Sequence, residues 1–499
     1  MVWDYARCLY EKKGYFISFM KKILEKYRSM PIAIKASGWY MACNIFQNAL
    51  GFITLPIFTR ILTTEEYGLY SIYLTWMNLL VIFTTLNLQY GVFNTAMIKY
   101  EDSRDKYISA MQGLTTVISL LWLVIYVVAH GLWDKLFGLP TIVMIAMAIE
   151  MLFLPAKDFW CGKQRFEYKY KEMVLYTVAL MIINPLIAIL AILAADNERG
   201  VIRILAAVAV NVVFYGVIYV RNFCKGKTFY HKEYWKYALE FGLPLIMYYL
   251  SQMIFNQSDK LMIQHMEGLD KAGIYSLIYS CSVIIVFVIN AINSAFVPWK
   301  YEKLKDKSYE EIGKVSFLLA FAISVILYLV VLGGPEIVKI VATEEYYEAI
   351  WIMPPVIASL FFLFLSQLFI NIEFYFEEKR ALVIGALISA ILNIVLNYFA
   401  ISWWGYIAAG YTTLIAYIAF AFTNYFYMKK LFREKMGDCK VFPILRLSAL
   451  GMGFLLLCML TLALYPYVYI RWGILIAICI LVLINYKKLL PLIKRKEGK

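Results

Sequence analysis

The chain has 499 residues, of which 62 % are hydrophobic and only 16 % are charged. A soluble protein carries about 25 % charged residues, so this composition excludes an ordinary soluble enzyme and favours an integral membrane protein. The formal net charge is +14, but the basic residues are dispersed over many short connections. That dispersal argues against a nucleic-acid-binding surface, and we expect no nucleic acid partner.

Apolar stretches long enough to cross a bilayer recur along the chain, since each crossing needs about 20 apolar residues. The sequence predicts an all-α integral membrane protein with about 14 transmembrane helices and no extramembrane domain. The predicted spans are 34–58, 69–96, 108–130, 139–161, 173–195, 202–221, 237–258, 272–299, 312–333, 350–372, 381–401, 405–428, 443–465 and 470–489.

We divide the chain into four parts. Residues 1–33 are expected to form a basic amphipathic segment on the cytoplasmic surface, with an unstructured basic extension as the alternative. Residues 34–222 are predicted to form an N-terminal lobe of six helices. Residues 223–428 are predicted to form a second six-helix lobe that begins with a cytoplasmic linker at 223–236. Residues 429–499 hold the last two predicted helices and a basic tail.

The basic residues are divided unevenly between the two sides of the predicted membrane. Of the 48 Lys and Arg residues, 40 fall on the side of the termini and 8 on the other. The positive-inside rule therefore places both termini in the cytoplasm of a cell carrying this protein in its inner or plasma membrane. The same charges favour anionic membrane lipids as partners.

The two predicted lobes share a short motif. Residues 68–71 read GLYS and residues 273–276 read GIYS, and each copy follows a charged turn and opens the second helix of its lobe. Because six helices separate the copies, both enter the membrane from the same side. The pattern predicts a parallel repeat with its pseudo-two-fold axis along the membrane normal.

The same regions resemble the polysaccharide flippases of the multidrug/oligosaccharidyl-lipid/polysaccharide exporter superfamily. The resemblance is carried by 55–73 (LPIFTRILTTEEYGLYSIY) and by 241–304. It implies a two-lobed, V-shaped helical bundle. Its central cavity would pass a polyprenyl-pyrophosphate-linked oligosaccharide from the cytoplasmic to the outer leaflet by alternating access. The partners that it implies are this lipid-linked oligosaccharide and, in the same pathway, a glycan polymerase and a chain-length regulator.

Polar side chains recur in the two helices that open each predicted lobe. Amides in a membrane helix suit a path for sugar hydroxyls, because polar groups facing lipid are costly. The alternative is hydrogen bonding between neighbouring helices without any substrate. The candidate cavity residues are Asn44, Asn48, Asn87, Asn94, Tyr248, Gln252, Asn256, Asn290 and Asn293.

A few charged residues lie inside or at the ends of predicted spans. Glu150 is in the middle of an apolar helix, where it is a candidate for ion coupling; a neutral or paired carboxyl group is the alternative. Arg60 and Lys260 lie at corresponding outer helix ends and are candidates for binding phosphate, with Asp259 as the neighbouring charged residue. The alternative is that the two basic side chains reach the interface and pair with Glu65 or Asp259.

Motifs of catalysis are missing from the sequence. The three histidines are far apart, no metal-ligand spacing occurs, and there is no phosphate-binding loop for ATP. We therefore expect no enzyme activity, metal or cofactor. The main hypothesis is a flippase. The alternatives are a multidrug exporter of the same superfamily, which would need acidic and aromatic cavity walls, and a membrane glycan polymerase or ligase.

Overall fold

The computed structural model describes residues 25, 27–89, 91–437 and 441–493. Most of the predicted amphipathic segment at 1–33 lies outside the described residues, as does the side chain of Tyr248. All regular structure within the described ranges is helical. Many large apolar side chains point outward from the bundle, among them Leu175, Val213 and Leu460. An apolar exterior of this kind is the surface that a bilayer covers.

Residues 32–226 are called the N half here. It contains eight α-helices and one short 3₁₀-helix at Glu101–Ser103. The α-helices are α1 (Ile32–Ile61), α2 (Thr64–Thr85), α3 (Gly91–Lys99), α4 (Arg104–Val128), α5 (His130–Phe137), α6 (Thr141–Phe166), α7 (Tyr170–Leu193) and α8 (Arg199–Gly226).

Residues 232–436 are called the C half. A 3₁₀-helix at Glu344–Trp351 interrupts its α-helices, which are α9 (Lys232–Glu267), α10 (Leu269–Lys305), α11 (Tyr309–Leu332), α12 (Gly334–Val341), α13 (Met353–Tyr375), α14 (Lys379–Trp404) and α15 (Ala408–Met436). Two further helices, α16 (Ile444–Leu464) and α17 (Val468–Ile493), follow the C half and pack mainly on α11 and α13.

All but one of the predicted spans correspond to a single long helix, and the count of 14 spans is not confirmed. Within the described residues, ten helices are long and apolar enough to cross a membrane, and the count is eleven if the bent pair α5 and α6 forms one span. The predicted span 405–428 falls on α15, which does not meet that standard and ends in a basic turn. The predicted spans 237–258 and 470–489 fall on α9 and α17, whose side chains are only partly described.

One predicted span is broken. The sequence predicts a single helix over 69–96, whereas α2 ends at Thr85 and α3 begins at Gly91. Leu86 and Asn87 both have φ near +50°, a left-handed conformation that stops an α-helix. The side chains of Leu88 and Val92 are buried beside the first part of α9, where Gly242 lets the helix approach Leu88.

The linker between the halves is shorter than predicted. The helix α8 runs to Gly226 and α9 begins at Lys232, so only 227–231 remain of the predicted linker at 223–236. The first turn of α9 packs on the N half, where Tyr234 contacts the rings of Tyr100 and Tyr107. The later part of α9 packs on α14 and α15 of the C half. The helix α9 thus contacts both halves.

Candidate functional site

The two copies of the repeated motif lie against each other. A Cβ atom built on Gly68 of α2 would lie 1.9 Å from the carbonyl oxygen of Leu269, and one on Gly273 of α10 would lie 2.1 Å from that of Thr64. Leu269 and Thr64 each precede their glycine by four residues, so the two contacts are reciprocal. Reciprocal contacts between equivalent residues are what a two-fold relation produces. Only glycine allows the two helix backbones to approach so closely.

Hydrogen bonds reinforce this contact between the halves. Ser71 donates to Ser276 at 2.7 Å, so the last residues of the two motif copies pair with each other. Tyr67 and Ser280 pair at 3.1 Å. Nearby, Thr59 at the end of α1 donates to the carbonyl oxygen of Val341 at the end of α12. The two halves are therefore joined at the helix ends that the charge pattern predicts to face outward.

A cavity of about 390 Å³ lies between the halves, next to these contacts. Its walls come from α1, α2, α7 and α8 of the N half and from α9 and α10 of the C half. No Asp or Glu of the described residues lines it. The polar and charged wall residues are Gln47, Asn48, Thr54, Tyr67, Tyr70, Ser71, Thr75, Asn78, Asn184, Arg203, Gln257, Lys260 and Ser280.

Arg203 is the buried cation of this wall. It lies in the second turn of α8 and is only 6 % exposed. Its guanidinium carbon is 3.6 Å from the centre of the Tyr70 ring and 3.8 Å from that of Phe58. Its Nη1 atom has no hydrogen-bond partner, and no ion pair between described residues involves it. Cation–π contacts stabilise the charge, while the free N–H group remains available to an anion.

Lys260 is the second cation of the wall. Its Nζ lies 5.1 Å from the centre of the Tyr279 ring on α10, and no ion pair between described residues involves it. Arg203 comes from the N half and Lys260 from the C half, so the two cations reach the cavity from opposite sides. Two cations with amides and hydroxyls, and no acidic wall residue, make the cavity suitable for an anionic ligand bearing hydroxyl groups.

Of the candidate cavity amides, Asn48 lies in the wall. Its Nδ2 donates to the backbone carbonyl of Asn44 one turn earlier, and this bond leaves its oxygen for other partners. The side chain of Asn44 is exposed and does not line the cavity. In this structure Asn48 therefore faces the cavity and Asn44 does not.

The candidate amides of α9 and α10 mostly bond to neighbouring helices. Asn256 accepts from Tyr417 of α15 and donates to the backbone carbonyl of Gln252. Asn290 accepts from Gln367, and Asn293 accepts from Asn371 at 2.7 Å. None of Gln252, Asn256, Asn290 and Asn293 lines the cavity. The alternative that the sequence left open, hydrogen bonding between helices, describes most of them.

Asn87 and Asn94 do not line the cavity either. Asn87 is buried in the break between α2 and α3, where its N–H donates to the hydroxyl of Thr85 and its side chain accepts from Gln89. Asn94 is exposed on α3. The predicted common face of these two residues required one continuous helix, and the break removes it.

Of the candidate phosphate-binding residues, only Lys260 lines the cavity. Asp259 is buried inside the C half and accepts hydrogen bonds from Tyr275, Tyr279 and Thr413. Arg60 is exposed and donates to the backbone carbonyls of Pro56 and Ile340. Arg60 thus binds the ends of α1 and α12 together, and the expected pairing with Glu65 is not formed.

Glu150 is buried behind the cavity wall and is hydrogen-bonded. One carboxyl oxygen accepts from Tyr73 of α2 at 2.5 Å and the other from Asn211 of α8 at 2.7 Å. Asn211 in turn accepts from Asn184 of α7 at 2.8 Å. Because Asn184 lines the cavity, a chain of two amides connects Glu150 to the cavity. No described residue forms an ion pair with Glu150.

Arg203 and the amides Gln47, Asn78, Asn184 and Gln257 are wall residues that the sequence did not single out. For Arg203 a signal was present, because a charged residue lay one position inside the predicted span 202–221 and such residues rarely face lipid. For the amides there was none, since nothing in the local sequence distinguishes a wall residue from a packing residue. Among the described residues no group of three or more His, Cys, Asp or Glu side chains is placed to bind a metal ion.

The sequence of this chain is similar to those of known proteins. A sequence family described as polysaccharide biosynthesis protein matches residues 33–304. The chain is 24 % identical to a Haemophilus influenzae protein named Lsg locus putative protein 1, over 55 % of this chain and 67 % of that protein. It is 23 % identical to the capsular polysaccharide biosynthesis protein CapF of Staphylococcus aureus, over 80 % of this chain and all of that protein.

Two solved structures share the fold. The lipid II flippase MurJ in an inward closed conformation has a TM-score of 0.71 at 13 % identity, covering 90 % of this chain and 99 % of that one. An inward-facing multidrug resistance transporter of the MATE family and MOP superfamily has a TM-score of 0.57 at 13 % identity, covering 81 % and 96 %. At this identity the likeness establishes an all-helical transporter fold and no more.

Proposed function

Since the chain belongs to the polysaccharide biosynthesis protein family, we propose that it moves a polyprenyl-pyrophosphate-linked oligosaccharide across the membrane by alternating access. The cavity between the halves is the proposed binding site for the head of this lipid. The prenyl chain stays in the bilayer, because a volume of about 390 Å³ is in the range of a small-molecule site and takes only the pyrophosphate and the adjoining sugar.

The observation that carries the proposal is the chemistry of the cavity wall. Arg203 and Lys260 contribute positive charge, five amides and several hydroxyl groups surround them, and no acidic residue of the described chain lines the cavity. Arg binds phosphate oxygens through strong charge-assisted hydrogen bonds. The amides replace water around the sugar hydroxyls. A multidrug exporter for cations needs the opposite charge in its wall, so this alternative is disfavoured.

Transport requires the contact between the two halves to open. In the structure the Gly68–Gly273 contact closes the end of the cavity that is predicted to face outward. Separation of α2 from α10 at this end would release the head group to the outer leaflet. The small hydroxyl-to-hydroxyl bonds at this contact, such as Ser71 to Ser276, cost little to exchange for water, because a typical hydrogen bond has a net value of about 0.5–1.5 kcal/mol.

We assign the possible ion-coupling role to Glu150 because of its connection to the wall. Its carboxyl group is linked to Asn184 through Asn211. Protonation of the Glu150 oxygen that faces Asn211 would turn this acceptor into a donor, and the amides of Asn211 and Asn184 would then have to reorient. The polarity of the cavity wall would then depend on the protonation state of a residue that never touches the substrate.

Leaflet exchange in proteoliposomes tests the proposed function. The assay measures transfer of a fluorescent polyprenyl-pyrophosphate-linked sugar, and Arg203→Gln should slow it by roughly 10- to 100-fold, since a hydrogen bond to a charged group is worth about 1.5–3 kcal/mol. Arg199→Gln is the matched control, because it removes the same charge from the same helix at a residue that does not line the cavity.

The thermal stability of both variants is measured in parallel. Arg203→Gln with wild-type transport at a normal melting temperature would contradict the proposal. The proposal would also be contradicted if the wild-type protein exported a cationic drug but did not move the lipid-linked sugar.

A further inference from the structure

A second cavity lies far from the first, at the end of α15 and the beginning of α16. Its volume is about 710 Å³, and it shares no lining residue with the cavity between the halves. Three basic side chains line it, from Lys429, Arg433 and Arg446. All three are exposed, and none takes part in an ion pair between described residues. No Asp or Glu of the described chain lines this cavity.

An apolar crevice continues from this basic cavity along the bundle. It lies between α13, α15 and α16 and has a volume of about 170 Å³. Tyr425 and Ile444 line both spaces, so the two are contiguous. Apart from Ser448 and the hydroxyl of Tyr425, all side chains that line the crevice are apolar, with Phe362, Phe369 and Met452 among them.

We propose that the basic cavity and the crevice together bind one anionic phospholipid of the membrane, with its phosphate among Lys429, Arg433 and Arg446 and an acyl chain along the crevice. Basic pockets between membrane helices on the cytoplasmic side bind phosphate-bearing head groups. The end of α15 belongs to the side that carries most of the basic residues, which the positive-inside rule predicts to be cytoplasmic. Head group and acyl chain thus each meet a surface of matching chemistry.

The lining favours a phospholipid over the lipid-linked sugar of the proposed transport reaction. No Asn or Gln side chain lines the basic cavity or the crevice, so sugar hydroxyls would lose water without gaining amide partners. The helices that form this site are also not those that form the cavity between the halves. The lipid is therefore a bound component of the C-terminal helices, and this inference stands independently of the proposed function.

Lipid binding to the purified full-length protein tests the proposal. Retention of dioleoylphosphatidylglycerol is measured by native mass spectrometry, with dioleoylphosphatidylcholine as the neutral lipid. Arg433→Gln/Arg446→Gln should weaken retention of the anionic lipid by roughly 30-fold, since each basic residue near the surface raises the affinity for anionic lipid about fivefold. Lys430→Gln/Lys435→Gln removes the same amount of charge from α15 at residues that do not line the cavity, and should keep nearly wild-type retention.

Two further arms identify the ligand. Soluble glycerol 3-phosphate should not displace the lipid, because it has no acyl chain for the crevice. The variant Arg433→Lys/Arg446→Lys keeps both positive charges and should retain binding, so it separates loss of charge from loss of stability. Equal losses in both double glutamine variants would overturn the proposal in favour of diffuse surface charge. Equal binding of glycerol 3-phosphate, or preferential retention of a polyprenyl pyrophosphate at these residues, would overturn it as well.

Discussion

Equivalent tyrosines of the two motif copies have opposite charged partners. Tyr70 lies under the guanidinium of Arg203, whereas Tyr275 donates its hydroxyl to Asp259 at 2.7 Å. The cation faces the cavity between the halves, and the carboxylate is buried inside the C half. The two equivalent tyrosines therefore contact opposite charges, a cation at the cavity and a carboxylate inside the C half. This asymmetry is why the wall is cationic although Asp259 adjoins Lys260 in sequence.

Amides of the wall and amides between helices should differ when they are replaced. Asn48→Leu should slow leaflet exchange with little change in melting temperature, because Asn48 faces the cavity and bonds only within its own helix. Asn293→Leu should lower thermal stability instead, because it leaves the buried amide of Asn371 without its partner at a cost of about 1–3 kcal/mol. Transport and unfolding are measured on the same preparations; the reverse pattern would refute the wall assignment.

Glu150 gives a second prediction at the level of the residue. Glu150→Leu should destabilise the protein, since the hydroxyl of Tyr73 and the amide of Asn211 would each lose a buried acceptor, at about 1–3 kcal/mol each. Glu150→Gln keeps the shape and should be far milder in thermal unfolding. If Glu150 couples transport, the glutamine variant should also lose the dependence of leaflet exchange on a pH gradient. Wild-type gradient dependence in that variant would leave Glu150 with a structural role alone.

Among the helices, α2 and α10 form the closest contact between the halves. Thr63 and Glu66 form a capping box at the start of α2, which fixes where this helix begins and hence where Gly68 lies. Gly268, with φ of 97°, allows α9 to turn directly into α10, so Gly273 reaches the same depth from the other half. Two short turns thus place both glycines of the repeat opposite each other.

A side chain at this contact should keep the halves apart. Gly68→Ala places a Cβ within 1.9 Å of the Leu269 carbonyl oxygen, and overpacking of a tight contact costs about 1–3 kcal/mol. That shifts the population with separated halves by roughly 5- to 150-fold. In a cysteine-free background, Ser280→Cys in the cavity should then react faster with a membrane-impermeant maleimide from the outer side. Gly216→Ala, which has open space around it, is the control, and equal rates in both variants would contradict the predicted role of the contact.

The length of α9 bears on the orientation of the whole molecule. Its 36 residues rise about 54 Å at 1.5 Å per residue, which exceeds the 40–45 Å or so of a bilayer with its head groups. A helix of this length can cross the whole bilayer, so we predict that its two ends lie on opposite sides of the membrane. Near Lys232, the ring of Tyr234 packs on those of Tyr100 and Tyr107. The other end, near Glu267, lies beside the contact of the two motif copies.

The charge distribution predicts which helix ends face the cytoplasm and which face the outer side of the membrane. The native Cys224, exposed at the end of α8, should react with a thiol reagent only from the cytoplasmic side. With every other cysteine replaced, Cys224 alone should react only from the inside and Glu267→Cys alone only from the outer side, because 40 of the 48 basic residues fall on the side of Cys224. Labelling of intact cells and of inverted vesicles measures both. Reaction of both positions from the same side would exclude the predicted orientation.

The sequence by itself determined the class of this protein and the position of its repeated motif. Long apolar stretches require helices in a bilayer, and this local requirement placed the predicted spans on helices, with the broken span 69–96 as the exception. The motif at 68–71 and 273–276 was visible because glycine, tyrosine and serine recur at equal places in a six-helix period. The family resemblance rested on the same residues. Glu150 was found for the same local reason, since a carboxyl group in an apolar helix needs partners.

Only the tertiary structure decided which polar residues face the cavity. The break at 86–90 turned Asn87 away from it, and the neighbouring helices α13 and α15 took up Asn256, Asn290 and Asn293 as hydrogen-bond partners. Asn78, Asn184 and Gln257 line the wall although their local sequences resemble those of the excluded amides. An amide in a membrane helix satisfies its hydrogen bonds equally well with a helix or with a ligand. The choice therefore depends on which helix lies opposite, and that is fixed by long-range packing between the two halves.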